Sequence, residues 1–229
     1  MSTFSINKKF EILTDLTSMV VNDTTPSLIV SGQGGLGKTY VVNKTIEDLG
    51  LEKDMDYVFF KGYSTARGLY NTLYDNNGKL IVFDDCDSVL EDKISINLLK
   101  SALDSYSERE LSWSAKMRKG DTYPQKFEFT GRIIFISNKP KSKFDNAILT
   151  RSLVVDLTMT PNEKITRMST IMNDVLPDYD KNVKSDALEF LNDNKENYDI
   201  NMRTFIMVSK MRESFPEKWN DIATFMINE

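Results

Sequence analysis

The chain has 229 residues, of which 40% are hydrophobic and 28% charged, and its net charge is −5. This composition indicates one globular domain of moderate size, or a core domain with a smaller one, and no apolar run is long enough to cross a membrane. The acidic balance argues against a broad basic face that coats DNA. The absence of histidine excludes histidine-based metal sites and catalytic triads, and a single cysteine, Cys86, excludes an internal disulfide.

Two features predict a cytoplasmic location. The lone thiol fits a reducing compartment. The N-terminal residues lack the apolar stretch of a signal peptide. If the chain is phage-encoded, the compartment is the host cytoplasm.

The first elements in chain order are a helix, a strand, a glycine-rich loop and a second helix. Apolar residues from Phe4 to Val21 have helical spacing, which predicts a packing helix. Residues 27–31 form a short apolar run between Pro26 and Gly32, which predicts a buried strand. Helical spacing resumes at Tyr40 and ends at Gly50.

The loop between that strand and helix has the G-x-x-x-x-G-K-T form of a phosphate-binding loop. Its glycines let consecutive amides point at one anion, and a helix starting near Gly37 adds its positive dipole end. Lys38 is expected to reach the β- and γ-phosphates, and the Thr39 hydroxyl is expected to hold Mg²⁺. The alternative, a flexible turn, is disfavoured by the flanking strand and helix. The predicted nucleotide-binding segment is Gly32, Gln33, Gly34, Gly35, Leu36, Gly37, Lys38, Thr39 and Tyr40.

A second strand is predicted at residues 57–60, followed by a turn and a helix over 65–75. The turn contains Lys61 and Tyr63. Two interpretations stay open for it: the turn faces the axis of a ring, where these two side chains touch a threaded polymer, or it is simply solvated.

The next strand, residues 79–85, is four apolar residues that run directly into Asp84 and Asp85. A buried strand that ends in acids places them at the carboxyl edge of a parallel sheet, where ligands bind in open α/β folds. Asp84 is therefore predicted to bind the Mg²⁺ side of the nucleotide. Asp85 is predicted to orient or deprotonate the attacking water.

An amphipathic helix is predicted from Ile94 to Tyr106, with Ile94, Leu98, Ala102 and Leu103 on its apolar side. A β-hairpin is predicted within residues 107–130. The two hairpin arms alternate in polarity, and the tip between them is basic. The tip carries Lys116, Arg118 and Lys119. Two interpretations stay open. The tip contacts nucleic-acid phosphates, or the hairpin is solvated or forms part of a subunit interface.

The last strands are predicted at residues 132–138, ending at Asn138, and at 152–157, just after Arg151. Four helices follow, within 163–175, 186–192, 201–214 and 216–227. The predicted fold is α/β: a parallel five-stranded sheet flanked by helices over residues 1–159, with a small all-helical lid over 160–229.

The order of these motifs resembles that of the AAA+ ATPases from about Pro26 to the end. The phosphate loop and the acid-ended strand are similar to the Walker A and Walker B motifs, except that Asp85 stands where glutamate is usual. Asn138 resembles the first sensor, Arg151 the arginine finger of clamp loaders and helicase loaders, and Arg203 the second sensor in the lid. The compact chain also looks like phage- or plasmid-encoded members.

The resemblance implies Mg²⁺-dependent hydrolysis of ATP by a ring homo-oligomer, a hexamer, in which Arg151 acts on the neighbouring subunit's site. The favoured role is a DNA motor or helicase loader in phage-type replication or recombination, with single-stranded DNA preferred, because the basic hairpin resembles in position the DNA-tracking hairpins of viral superfamily-three helicases. The first alternative is a remodeller of a protein substrate or partner, gripping it with Tyr63. The second is a slow ATP-dependent switch, supported by Asp85.

Overall fold

The structure is a computed structural model that describes residues 4–104, 108–114 and 122–228. These residues divide into two compact units. The core unit takes its residues from 9–32 and 38–157. The helical unit comprises 4–8, 33–37 and 158–228. Lys116, Arg118 and Lys119 lie outside the described residues.

The strands of the core unit begin and end close to the predicted bounds. In chain order they are β1 (Ser27–Ser31), β2 (Tyr57–Lys61), β3 (Leu80–Asp84), β4 (Glu110–Ser112), β5 (Lys126–Glu128), β6 (Arg132–Ile136) and β7 (Leu153–Asp156). The helices are α1 (Ile6–Val21), α2 (Lys38–Asp48), α3 (Ala66–Asp75), α4 (Ser88–Glu91), α5 (Lys93–Ala102), α6 (Asn146–Leu149), α7 (Pro161–Ile171), α8 (Lys181–Asn194), α9 (Met202–Ser214) and α10 (Trp219–Asn228).

The central sheet of the core unit has five parallel strands in the order β2-β3-β6-β1-β7. Every residue of β1 and β3 is buried, as expected for a parallel sheet covered on both faces. The predicted α/β fold with a five-stranded parallel sheet is confirmed. Because the strands are parallel, the ends of β1, β3 and β6 lie along one edge, and this edge carries the polar side chains that the sequence singled out.

The predicted hairpin is present as an antiparallel pair of β4 and β5, in which Leu111 is opposite Phe127. Aromatic side chains fasten its base to α3. The ring centroids of Tyr70 and Phe127 lie 5.2 Å apart, and the Tyr70 hydroxyl donates to the carbonyl of Pro124 at 2.9 Å. The Arg67 guanidinium lies 5.4 Å from the Trp113 ring centroid. The hairpin base is therefore a packed part of the core unit.

The helical unit has an apolar core of its own, made by side chains such as Met168, Leu191 and Phe205. Its helices α7, α8 and α9 start at side-chain caps. Thr160 and Glu163 form a capping box at α7, with a proline in the first turn, and Asn201 caps α9. No helix in the described ranges is both long and apolar enough to cross a membrane.

Two helix predictions differ from the structure. The prediction that Ile94 lies on the buried side of its helix is wrong, because Ile94 is 56% exposed. The residues that α5 buries are Ser95, Ile96, Leu98, Leu99 and Ala102. The Asp92 side chain caps α5 one residue before Lys93 and so sets this phase. The last helix begins at Trp219 and not at Pro216, which lies in the turn after α9.

Candidate nucleotide site

The candidate site of the core unit begins with Lys38, the first residue of α2. Its side chain is almost fully buried, with 4% of the residue exposed. The ammonium group donates to the carbonyl of Gly32 at 2.7 Å and to Oδ1 of Asn138 at 3.0 Å. A buried ammonium needs such acceptors, and here they hold it at the end of β1, where a phosphate loop requires its lysine.

Asn138 connects Lys38 to the predicted catalytic acid. Its amide oxygen accepts from Lys38, and its amide nitrogen donates to Oδ1 of Asp85 at 2.7 Å. The amide orientation follows from chemistry, because an ammonium can only donate and a carboxylate can only accept. One side chain at the end of β6 therefore positions both the lysine and the acid.

Asp85 lies in an unusual backbone conformation for a residue with a side chain, with φ at 55°. Asp tolerates the left-handed region better than most residues, but such a conformation still has an energetic cost and is concentrated at functional sites. The Asp85 N–H donates to the carbonyl of Ile136 at 3.0 Å, which holds this turn against β6. The side chain is exposed at the sheet edge, where it can contact a ligand.

Thr39 and Asp84 meet as predicted for a magnesium site. The Thr39 hydroxyl donates to Oδ1 of Asp84 at 3.0 Å, and 4% of Asp84 is exposed. A hydroxyl and a carboxylate are the oxygen ligands that Mg²⁺ takes in nucleotide sites, where phosphates and waters complete its shell. In the described part of the chain, no group of three or more acidic or cysteine side chains could hold a metal ion by itself. The donor set fits a metal that arrives with a nucleotide.

Residues 33–37 of the phosphate loop belong to the helical unit. The carbonyl of Gly35 accepts from the N–H of Met202, the first residue of α9, at 2.8 Å. Gly35 has φ of 71°, and a Cβ atom there would lie 2.9 Å from Oδ1 of Asn201. Leu36 is buried, while Gln33 and Tyr40 are exposed. The loop apex is thus packed against the start of α9.

Several polar contacts near the sheet edge were not anticipated from sequence. Ser137 donates to Oδ1 of Asp87 at 2.6 Å, and Lys139 pairs with Glu91 and lies 3.8 Å from Oδ2 of Asp87. Lys61 forms an ion pair with Oδ2 of Asp84 at 2.8 Å. Its predicted contact with a polymer stays a prediction, but in this structure its ammonium group lies at the candidate metal site.

Cys86 lies directly after the two acids and is buried. Burial, together with the charges of Asp84, Asp85 and Asp87, raises the pKa of its thiol to about 11. The thiol donates to the carbonyl of Phe60 at 3.4 Å. A thiol that remains protonated at neutral pH is a packing group and not a nucleophile.

No family model matches the sequence. An uncharacterized 36.7 kDa protein of Enterobacteria phage T4 is 34% identical over 179 residues, which are 70% of this chain and 53% of the phage protein. This relative agrees with the phage-type character predicted from sequence.

Among solved structures, the Holliday junction branch migration motor RuvB of Thermotoga maritima covers 91% of this chain, with a TM-score of 0.52 and 14% identity. Two RuvB point mutants give TM-scores of 0.57 and 0.55 at 12% and 13% identity, covering 95% and 97% of this chain. This chain has the AAA+ ATPase fold. The chain spans 61% of the first RuvB chain and about half of the phage relative.

The AAA+ resemblance stated from sequence is therefore confirmed at the level of the fold. The roles predicted for Arg151 and Arg203 remain predictions. Arg151 follows α6, where its Nη1 donates to the carbonyl of Ala147 at 3.1 Å and its buried Nε has no hydrogen-bond partner. Arg203, near the start of α9, is exposed and lines a surface cavity with Ile206 and Lys210. Tyr63 is 82% exposed.

Proposed function

We propose that this chain binds ATP with Mg²⁺ and hydrolyses it, and that it does so as an assembled motor acting on DNA. The observation that carries the proposal is the connected set of side chains at the sheet edge. Lys38, Asn138 and Asp85 are linked by hydrogen bonds of 3.0 and 2.7 Å, beside Thr39 and Asp84. This is the arrangement that phosphoryl transfer to water needs: a cation for the phosphates, oxygen ligands for a metal, and a carboxylate for the water.

Each residue has a separable task in this proposal. Lys38 and the loop amides bind the β- and γ-phosphates, and Thr39 and Asp84 hold Mg²⁺, which supplies charge neutralisation when bound. Asp85 accepts the proton of the attacking water, and Asn138 holds the Asp85 and Lys38 side chains in position. Arg151 is proposed to complete the site of a neighbouring subunit, and Arg203 to contact the γ-phosphate from the lid.

DNA is the preferred substrate on two grounds. RuvB, whose fold the chain shares, is a Holliday junction branch migration motor. The base of the hairpin packs on α3 through Tyr70 and Phe127, and the sequence that joins β4 to β5 carries three basic residues. We propose that Lys116, Arg118 and Lys119 contact DNA phosphates there.

The test is steady-state ATP turnover with and without single-stranded DNA, at low and moderate salt. Turnover stimulated by DNA, with stimulation that weakens as salt rises, is the expected result. The variant in which Lys116, Arg118 and Lys119 are all changed to Ala should lose the stimulation and keep its basal turnover. Basal turnover in the wild type that no DNA changes would contradict the DNA part of the proposal alone.

One observation favours a protein substrate as the second candidate. Tyr63 is 82% exposed in the turn between β2 and α3, and an exposed aromatic ring at such a turn suits a grip on an extended polypeptide. If this candidate is correct, Tyr63→Ala leaves ATP turnover unchanged and abolishes the action on the protein partner. The slow-switch alternative predicts turnover well below about one per second, the low end of ordinary enzymes.

A further inference from the structure

The inference concerns Lys61 and Asp84, the last residues of β2 and β3. The two strands are parallel neighbours, and Lys61 is directly opposite Asp84 in their register. Paired residues of neighbouring strands point their side chains to the same face of a sheet. The register therefore brings the lysine to the acid, and the Nζ to Oδ2 distance is 2.8 Å.

Asp84 uses both carboxylate oxygens in this arrangement. Oδ1 accepts from the Thr39 hydroxyl at 3.0 Å, and Oδ2 faces the Lys61 ammonium. The Asp84 side chain is only 6% exposed, so its charge needs a compensating cation. The same oxygens are those proposed to face Mg²⁺. The Lys61 ammonium therefore contacts a carboxylate oxygen, Oδ2, that a bound metal ion would also contact.

The two partners differ in how easily they can move. The Lys61 side chain is 65% exposed, whereas Asp84 is fixed within a buried strand end. An exposed lysine on a flexible four-carbon stem can leave its partner and be solvated at small cost. The ion pair thus joins a fixed buried anion to a removable cation.

We propose that Lys61 is a further residue of the nucleotide site, one that competes with Mg²⁺ for Asp84. Its ammonium balances the Asp84 charge while no metal is bound and leaves Oδ2 when Mg²⁺ enters with the nucleotide. Lys61 therefore raises the Mg²⁺ concentration that nucleotide loading requires and stabilises the metal-free protein. The inference rests on the proposed function, because it takes Asp84 as the metal ligand.

The test compares the wild-type chain with Lys61→Met, Lys61→Arg and a control, Lys44→Met. Lys44 is also exposed and also ion-paired, with Asp48 on α2, so the control removes the same charge away from the candidate site. Binding of a fluorescent, non-hydrolysable ATP analogue is titrated with Mg²⁺. Thermal unfolding is then measured without metal and nucleotide, and with both.

The expected result is that Lys61→Met lowers the half-saturating Mg²⁺ concentration about tenfold, the size of a lost charge-assisted hydrogen bond. Lys61→Arg keeps the competing charge and stays near the wild type, as does Lys44→Met. Lys61→Met also unfolds at a lower temperature than the wild type without metal, and the gap closes when Mg²⁺ and the analogue are present. A purely structural lysine would lower both melting temperatures equally.

Two results would overturn the inference by itself. One is an unchanged Mg²⁺ requirement in Lys61→Met, and the other is a higher requirement, which would mean that Lys61 supports the phosphates and does not compete with the metal. A wild-type chain that binds the analogue at no Mg²⁺ concentration would overturn the inference and the proposed function together.

Discussion

Asn138 is the residue that connects the phosphate-binding cation of the proposed site to its catalytic acid. It accepts from Lys38 and donates to Asp85, so its removal leaves a buried ammonium short of an acceptor and the acid without its orienting donor. We predict that Asn138→Ala lowers the turnover number about 100-fold, as for other single donors at reacting centres. Nucleotide affinity should change much less. A loss of affinity with an unchanged turnover number would show that Asn138 serves binding alone.

Asp85 gives a second prediction at this scale. Asparagine also tolerates the left-handed backbone of this position, where φ is 55°, so Asp85→Asn should keep the fold while removing the proton acceptor. We expect turnover to fall by about 10²–10⁴ and nucleotide binding to persist. Parallel measurements of turnover, nucleotide affinity and circular dichroism test this. Wild-type turnover in a correctly folded variant would assign the base elsewhere.

Cys86 is predicted to be unreactive in the folded chain. Burial and three neighbouring acids raise the pKa of its thiol to about 11, so the thiolate that attacks alkylating reagents is scarce at pH 8. Iodoacetamide should modify native protein far more slowly than urea-unfolded protein, as followed by mass spectrometry. Because the folded state keeps its proton where the unfolded state loses it, this thiol also reduces stability as the pH rises above about 9.

The side chains of the candidate site could be predicted from sequence because each follows a strand or opens a helix. Lys38, Thr39, Asp84, Asp85 and Asn138 were named in this way, and the core unit brings them together. The role of Lys61 could not be predicted in the same way. Its contact depends on which strands are neighbours and in what register, and a single sequence does not encode strand order in any local pattern.

At the scale of elements, the contact between the phosphate loop and α9 gives a testable double mutant. Gly35→Ala places a Cβ atom 2.9 Å from Oδ1 of Asn201 and forces a side chain into a positive φ. That oxygen is not free to move, since it accepts from the N–H groups of Arg203 and Thr204 at 2.9 and 3.3 Å. We predict a loss of at least ~1–2 kcal/mol in unfolding free energy from the backbone strain.

Asn201→Ala should destabilise by ~1 kcal/mol through loss of the α9 cap. In the double variant the carbonyl side chain that opposes the new methyl group is gone, so the combined loss should be smaller than the sum of the single losses. Urea unfolding of the four proteins measures this. Strict additivity would show that the Gly35 and Asn201 positions do not interact.

Element bounds were predicted well where buried runs or caps define them, and less well where the signals are weak. The β strands of the sheet are continuous apolar runs and were placed within two residues. The short helix α4 and the phase of α5 were missed because they depend on the Asp92 cap between them and not on an apolar period. The hairpin was predicted from alternation, and the antiparallel pairing of β4 and β5 confirms it.

At the scale of the whole molecule, Arg151 tests the proposed dependence on assembly. In the single chain its guanidinium bonds to the carbonyl of Ala147 in its own α6, and its Nε is buried without a partner. We predict that Arg151→Ala binds nucleotide as the wild type does but loses turnover by about 10³-fold, the effect of an arginine supplied to a neighbouring site. Mixing this variant with Lys38→Met protein should restore part of the activity, because each supplies what the other lacks. Wild-type turnover by Arg151→Ala alone would remove it from this role.

The fold as a whole could be predicted from sequence because strands alternate with helices and the phosphate loop follows the first strand. The AAA+ fold is shared with RuvB at 12–14% identity, so the arrangement of elements persists where few side chains are retained. For the same reason the fold does not identify a substrate, since function resides in particular sites and not in the architecture. The choice between DNA and protein therefore rests on the hairpin and on Tyr63.

The most direct measurement for the central claim is steady-state phosphate release from ATP in Mg²⁺, by the wild type and by Lys38→Met, over a range of protein concentrations. The account predicts that the wild type turns over, with a specific rate that rises with concentration as subunits assemble. Lys38→Met, which removes the buried cation of the site, should neither bind nucleotide nor release phosphate. Equal phosphate release by the two proteins, or no nucleotide binding by the wild type, would contradict the account.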